Sequence, residues 1–136
     1  MIGLVIASHG HLAEEFVATA RQIVGELTQI ASCSVEPGAS PESLRQRLAD
    51  AVRSVDEGQG VVVLADLLGG TPCNQSLSLC QQSRLEVVTG VNLPMVLKAA
   101  SLRQTVGSAA ALADQLAQYG QRNIACVTER LRSVGS

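Results

Sequence analysis

A histidine and an aspartate stand at the ends of two apolar runs. Ile2-Gly3-Leu4-Val5-Ile6-Ala7 breaks into Ser8-His9-Gly10, and Val61-Val62-Val63-Leu64-Ala65 breaks into Asp66. Neutral imidazole has one nitrogen that donates and one that accepts. A carboxylate accepting from Nδ1–H fixes the tautomer and leaves a lone pair on Nε2. It also stabilises the cation that forms when that lone pair attacks an electrophile. The pair is therefore either a general base or a nucleophile, and its surroundings decide which.

Those surroundings are glycine and hydroxyl. Gly10, Gly69 and Gly70 let backbone N–H groups approach an anion closely. Thr71 offers a hydroxyl at a helix start, where the helix end favours negative charge. A phosphoryl group on Nε2 of His9 suits such a cradle. With no basic side chain in these motifs, backbone dipoles would hold it, loosely enough to pass it on. Plainer roles stay open: Gly69-Gly70 also reads as a tight turn, Thr71-Pro72 as a helix cap, and Asn74 and Asn92 as residues that cap a helix or order their loops.

Other chemistries fit less well. His9-Gly10-His11 with Asp66 holds metal-ligand types, but His11 is expected to open a helix and point outward, and no further histidine exists. No metal or cofactor is expected. A phosphorylated Asp66, as in receiver domains of similar topology, would want an acidic pair after the first strand and a lysine after the last. Ser8-His9 and Thr128-Glu129 stand there instead. Neither G-x-G-x-x-G nor a P-loop is present for a nucleotide.

The elements that must bring His9 and Asp66 together follow from periodicity. Strands are expected over residues 2–7, 29–34, 61–65 and 86–89, with a last short strand at 123–127. Helical spacing covers residues 11–26. Ser40 caps a second helix that opens on Pro41, buries Leu44, Leu48, Val52 and Val55, and ends before Gly58 and Gly60. A third helix starts with Thr71 as cap and Pro72 as its first residue and runs to about Gln82. Gly90-Val91-Asn92 turns into a fourth with Pro94 in its first turn, and residues 107–119 form a fifth, closed by Gly120. A charged tail through Arg130 and Arg132 ends the chain.

Strands alternating with such helices give βαβ units, a parallel sheet and right-handed crossovers. The fold class is a three-layer, doubly wound α/β domain of strand order 2-1-3-4, with the last strand at an edge. Strands 1 and 3 are then neighbours, and His9 and Asp66 meet at the switch point where ligands bind.

Composition bounds the rest. The 136 residues make one domain, 46% hydrophobic and 16% charged, so the chain is globular. One Phe, one Tyr and no Trp leave an aliphatic core and no stacking platform for single-stranded nucleic acid. A net charge of −2 gives no basic footprint for nucleic acid or an anionic membrane. No run approaches a membrane span, and the first strand begins without a basic leader, so a cytoplasmic protein is expected. Cys33, Cys73, Cys80 and Cys126 fit no common zinc spacing and read as reduced packing residues.

Three segments resemble one family. Val5-Ile6-Ala7-Ser8-His9-Gly10-His11-Leu12-Ala13-Glu14 is similar to the phosphohistidine segment of the enzyme IIA component of the mannose family (mannose/fructose/sorbose type) in the bacterial phosphoenolpyruvate-dependent sugar phosphotransferase system. Ala65-Asp66-Leu67-Leu68-Gly69-Gly70-Thr71-Pro72-Cys73-Asn74 and Thr89-Gly90-Val91-Asn92-Leu93-Pro94-Met95 match it in order. The resemblance spans essentially the whole chain as a single enzyme IIA domain, residues 1–136. It implies that His9 takes a phosphoryl group on Nε2 from the phosphocarrier HPr. The group would then go to a histidine of a IIB component that serves IIC and IID membrane components. It implies that Asp66 bonds Nδ1 and that Thr71 touches the phosphoryl group. It also implies a homodimer that exchanges an antiparallel edge strand, which residues 123–127 match. His11, Leu67 and Leu68 fall where the family varies. An alternative on the same fold is a regulatory phosphoprotein without a dedicated sugar transporter.

Overall fold

A computed structural model of the chain describes residues 1–67, 70–80 and 84–135. In order these form β1 (Gly3–His9), α1 (Leu12–Val24), β2 (Ile30–Val35), α2 (Pro41–Val55), β3 (Val61–Ala65), α3 (Thr71–Leu79), β4 (Leu85–Thr89), α4 (Leu93–Leu102), α5 (Ala109–Arg122) and α6 (Val127–Gly135). The strands form one sheet of order β2-β1-β3-β4, every pair parallel. This is the topology expected from the alternation of strands and helices.

Both faces of the sheet are covered. Leu4, Ile6, Val62, Leu64 and Val88 pack with α1, α4 and α5, through Val17, Val96, Leu112 and Leu116. Val5, Ala7, Val61, Val63 and Leu85 pack with α2 and α3, through Leu44, Leu48, Val52 and Leu79. Successive strand residues thus serve opposite layers. Burial on both faces is why β1 and β3 read as continuous apolar runs. No helix among the described residues is long and apolar enough to cross a membrane.

Two helix starts follow their caps. Ser40 accepts from the Ser43 N–H at 3.1 Å ahead of α2, and Asn92 accepts from the Met95 N–H at 3.0 Å ahead of α4. Asn92 is thus a capping residue, one of the two roles left open for it.

Several expectations are corrected. The N-cap of α3 is Gly70, in an extended conformation, and Thr71 is already helical. The Asn74 N–H closes the first turn on the Gly70 carbonyl at 2.9 Å, and Pro72 sits within that turn, where no N–H is needed. The described helix ends at Leu79, and Gln82 lies outside the described residues. Helix α5 starts at Ala109, because the Ser108 hydroxyl accepts from the Ala111 N–H at 3.1 Å. It also runs through Gly120 to Arg122. Gly120 is a packing glycine and not a terminator: a Cβ there would lie 2.6 Å from Met95 Cε, and its carbonyl accepts from Asn92 Nδ2 at 3.1 Å.

No strand forms at residues 123–127; a turn and an irregular stretch lead into α6, with Ile124 and Val127 exposed. A strand needs a neighbour for its N–H and C=O groups, and among the described residues no strand pairs with 123–127. Cys126 is likewise exposed and not a packing residue. Arg103, unassigned from the sequence, is buried and donates to the carbonyls of Thr28 and Gln29, where Gln29 has φ +53°.

Candidate functional site

His9 ends β1 and Asp66 follows β3, so adjacent strands deliver both to the carboxyl edge of the sheet. The ladder continues past β3: the Asp66 N–H donates to the Ala7 carbonyl at 3.2 Å, and the Val91 N–H donates to the Ala65 carbonyl at 3.1 Å. The backbone carrying the carboxylate is therefore tied on both sides.

One carboxylate oxygen holds His9 twice. Asp66 Oδ2 accepts the His9 backbone N–H at 2.8 Å and lies 2.9 Å from His9 Nδ1. A carboxylate only accepts, so Nδ1 carries the proton and Nε2 the lone pair. The imidazole is 46% exposed, whereas the Asp66 side chain is 10% exposed. Burial pushes the Asp66 carboxyl up, but hydrogen bonds from the His9 amide and ring, the ring's charge and the Leu67 amide outweigh it, and the group stays below its ordinary value. A charged acceptor behind an accessible ring suits a nucleophilic imidazole.

The two loops around the ring differ. Gly10 has φ +57° and turns the chain from β1 into α1 with open space around it. Gly70 lies against the imidazole: a Cβ there would sit 2.8 Å from Cε1 and 3.6 Å from Nε2. As N-cap of α3, it brings the positive end of that helix beside the ring. Thr71 is exposed in the first turn of α3. Gly69 lies outside the described residues. His11 goes elsewhere, its side chain 83% exposed and 3.6 Å from Glu14 of its own helix, so it does not join His9 and Asp66.

Residues 3–116 match the family described as the PTS system fructose IIA component, EIIA-man. The chain belongs to the mannose family of enzyme IIA components. The PTS system fructose-specific EIIA component of Bacillus subtilis is 27% identical over 135 residues, 98% of this chain and 92% of that protein. The PTS system mannose-specific EIIAB component of Escherichia coli K12 is 33% identical over 98 residues, 71% of this chain, and the match spans only 30% of that protein's length. Among solved structures, the mannose/sorbose specific IIA subunit from Enterococcus faecalis superposes with a TM-score of 0.83 at 35% identity, covering 92% of this chain and 93% of that one.

Sequence reading of this enzyme IIA missed one residue next to the site. Ser8 is fully buried and its Oγ accepts the Ala13 N–H at 2.7 Å. A polar residue closing an apolar strand just before a helix was the available signal.

Proposed function

We propose that His9 is the transient phosphoryl carrier of a cytoplasmic sugar phosphotransferase chain. A phosphoryl group comes from phospho-HPr. The Nε2 lone pair forms the new N–P bond as the donor's bond to phosphorus breaks. The group then leaves Nε2 for a histidine of a IIB component that works with IIC and IID membrane components, and the lone pair returns to Nε2. The observation that carries this reading is the double grip of Asp66 Oδ2 on the His9 N–H and Nδ1. Throughout the cycle Nδ1–H stays bonded to the carboxylate. Phosphorylation puts positive charge on the ring, and Asp66 offsets it without taking a proton. Gly10, Gly69, Gly70 and Thr71 surround the phosphoryl group with backbone dipoles and a hydroxyl. The family membership and the matching fold support a phosphocarrier role of this kind.

The test is incubation with phosphoenolpyruvate, enzyme I and HPr. The expected product is an acid-labile, base-stable label on this chain, discharged when a IIB partner is added. A chain that stays unlabelled under conditions where HPr is labelled contradicts the proposal.

The close approach of Gly70 gives a second expected result. Gly70→Ala places a methyl group against Cε1, forcing the ring away from Asp66 or the start of α3 away from the ring. Because φ at Gly70 is −77°, alanine brings no backbone strain and the fold should persist. Labelling is expected to slow about tenfold or more, since a displacement near 1 Å at a reacting group can cost a hundredfold. Wild-type labelling kinetics for Gly70→Ala would show that the glycine is only a turn residue.

A homodimer is part of the proposal. Among the described residues β4 pairs only with β3, and the segment after α5 exposes Ile124 and Val127. Exchange of residues 123–127 between two copies would pair both. Sedimentation equilibrium is expected to give a dimer; a monomer at micromolar concentration would contradict it.

A further inference from the structure

We infer that Ser8 is a positioning residue for phosphoryl transfer at His9, acting from the opposite face of β1; this rests on the carrier role proposed above. Ser8 and His9 are consecutive strand residues, so their side chains leave the sheet in opposite directions. His9 goes to Asp66 and to Gly70 at the start of α3. Ser8 goes to α1, where its Oγ accepts the Ala13 N–H at 2.7 Å with no solvent exposure.

That bond replaces an ordinary helix cap. The first N–H groups of a helix lack intrahelical acceptors. The N-cap of α1 is His11, which makes no side-chain capping bond. The strand serine five residues before Ala13 supplies the acceptor instead. Ala13 is itself fully buried. Water therefore does not reach this amide freely, and the serine oxygen is its partner.

The consequence reaches His9 through the backbone. The peptide between Ser8 and His9 is gripped from one face by α1, through Ser8 Oγ, and from the other by Asp66, through the His9 N–H. Only Gly10 and His11 link it to α1, and Gly10, at φ +57° with open space around it, resists no movement sterically. Without the Ser8 oxygen, the buried Ala13 N–H has no acceptor, and the turn relaxes to find one. Both His9 bonds converge on a single atom, Asp66 Oδ2, so a shift of this turn disturbs the amide and the ring together.

The test compares Ser8→Ala, Ser8→Cys and Val52→Ala with wild type. Phosphorylation by phospho-HPr gives kcat and KM, and NMR of the unphosphorylated protein reads the His9 Nδ1–H resonance. For Ser8→Ala, kcat is expected to fall about tenfold, as misplacement of a reacting group predicts. KM for phospho-HPr should stay within about twofold, because no surface group is changed. The Nδ1–H resonance should shift or broaden. Ser8→Cys has nearly the same shape but a weaker acceptor, and should fall between. Val52→Ala opens a cavity in the α2 layer, lowers the thermal midpoint, and should leave kcat and the Nδ1–H resonance at wild-type values.

Wild-type kcat and an unmoved resonance in Ser8→Ala would overturn the inference. So would a Val52→Ala protein that matches the Ser8→Ala loss. If Ser8→Ala does not fold, Ser8→Cys is held to the same two readouts. The resonance is measured without phosphorylation, so its failure is distinct from failure of the carrier role, which would show as unlabelled wild type.

Discussion

His9→Ala is expected to abolish the acid-labile label, while His11→Ala labels at the wild-type rate. The difference lies in what stands behind each ring. His9 has a largely shielded carboxylate on Nδ1, from a residue whose backbone is tied into the ends of two strands. His11 has only Glu14, at 3.6 Å and on the surface. An exposed pair of that kind contributes little orientation, because water competes for both partners. Alanine at position 9 also frees Asp66 Oδ2 of one of its two bonds from His9 while leaving the backbone N–H bond. The fold should therefore survive, and the loss of label reads chemistry. Labelling of His9→Ala would move the carrier role to another residue.

Asp66→Asn is expected to slow labelling about a hundredfold or more, the range that a misdirected base or nucleophile loses. Both His9 bonds end on the one atom Oδ2, so the carboxamide has two settings there. With its oxygen in that place it accepts both the backbone N–H and Nδ1–H, but as a neutral and weaker acceptor. With its NH₂ group in that place it meets the backbone N–H donor to donor, and donating to Nδ1 favours the tautomer with hydrogen on Nε2, which occupies the lone pair the phosphorus needs. In either setting the negative charge that offsets the phosphorylated ring is gone.

The carboxylate gives this variant a pH signature. Its pKa in the folded protein is held below the ordinary value, about 3.9 for an aspartate. A depressed pKa contributes stability that is present above the unfolded value and lost as pH falls through the folded one. Part of the wild-type loss of stability in strong acid should thus be missing in Asp66→Asn, measured as the difference in thermal midpoint across that range. Wild-type kinetics with an unchanged acid profile would exclude the orienting role.

Much of this arrangement was legible because it depends on local signals. Residues 2–7 and 61–65 are buried on both faces, so they carry the continuous apolar run that a central parallel strand requires. Their alternation with helices sets the strand order, and the order puts His9 beside Asp66. Ser40-Pro41 announces α2 through its own cap.

What was not legible depends on contacts distant in sequence. Gly120 follows a helical run and looks like a terminator; only Met95 and Asn92, from α4, reveal it as a packing residue. Arg103 resembles any surface arginine until the carbonyls of Thr28 and Gln29 are brought to it. Ser8 looks like part of the His9 motif, and its partner lies on the far face of the strand. Residues 123–127 have strand-like composition, but a strand is completed by a neighbour, and composition does not supply one.

The site rests on which ring nitrogen is free. NMR of the ¹⁵N-labelled protein, phosphorylated by phospho-HPr, measures this through the ³¹P–¹⁵N coupling of the phosphohistidine. Phosphorus bonded to Nε2 of His9, with Nδ1 still protonated, is the expected result. Phosphorus on Nδ1, or on any residue other than His9, would contradict the role given to Asp66.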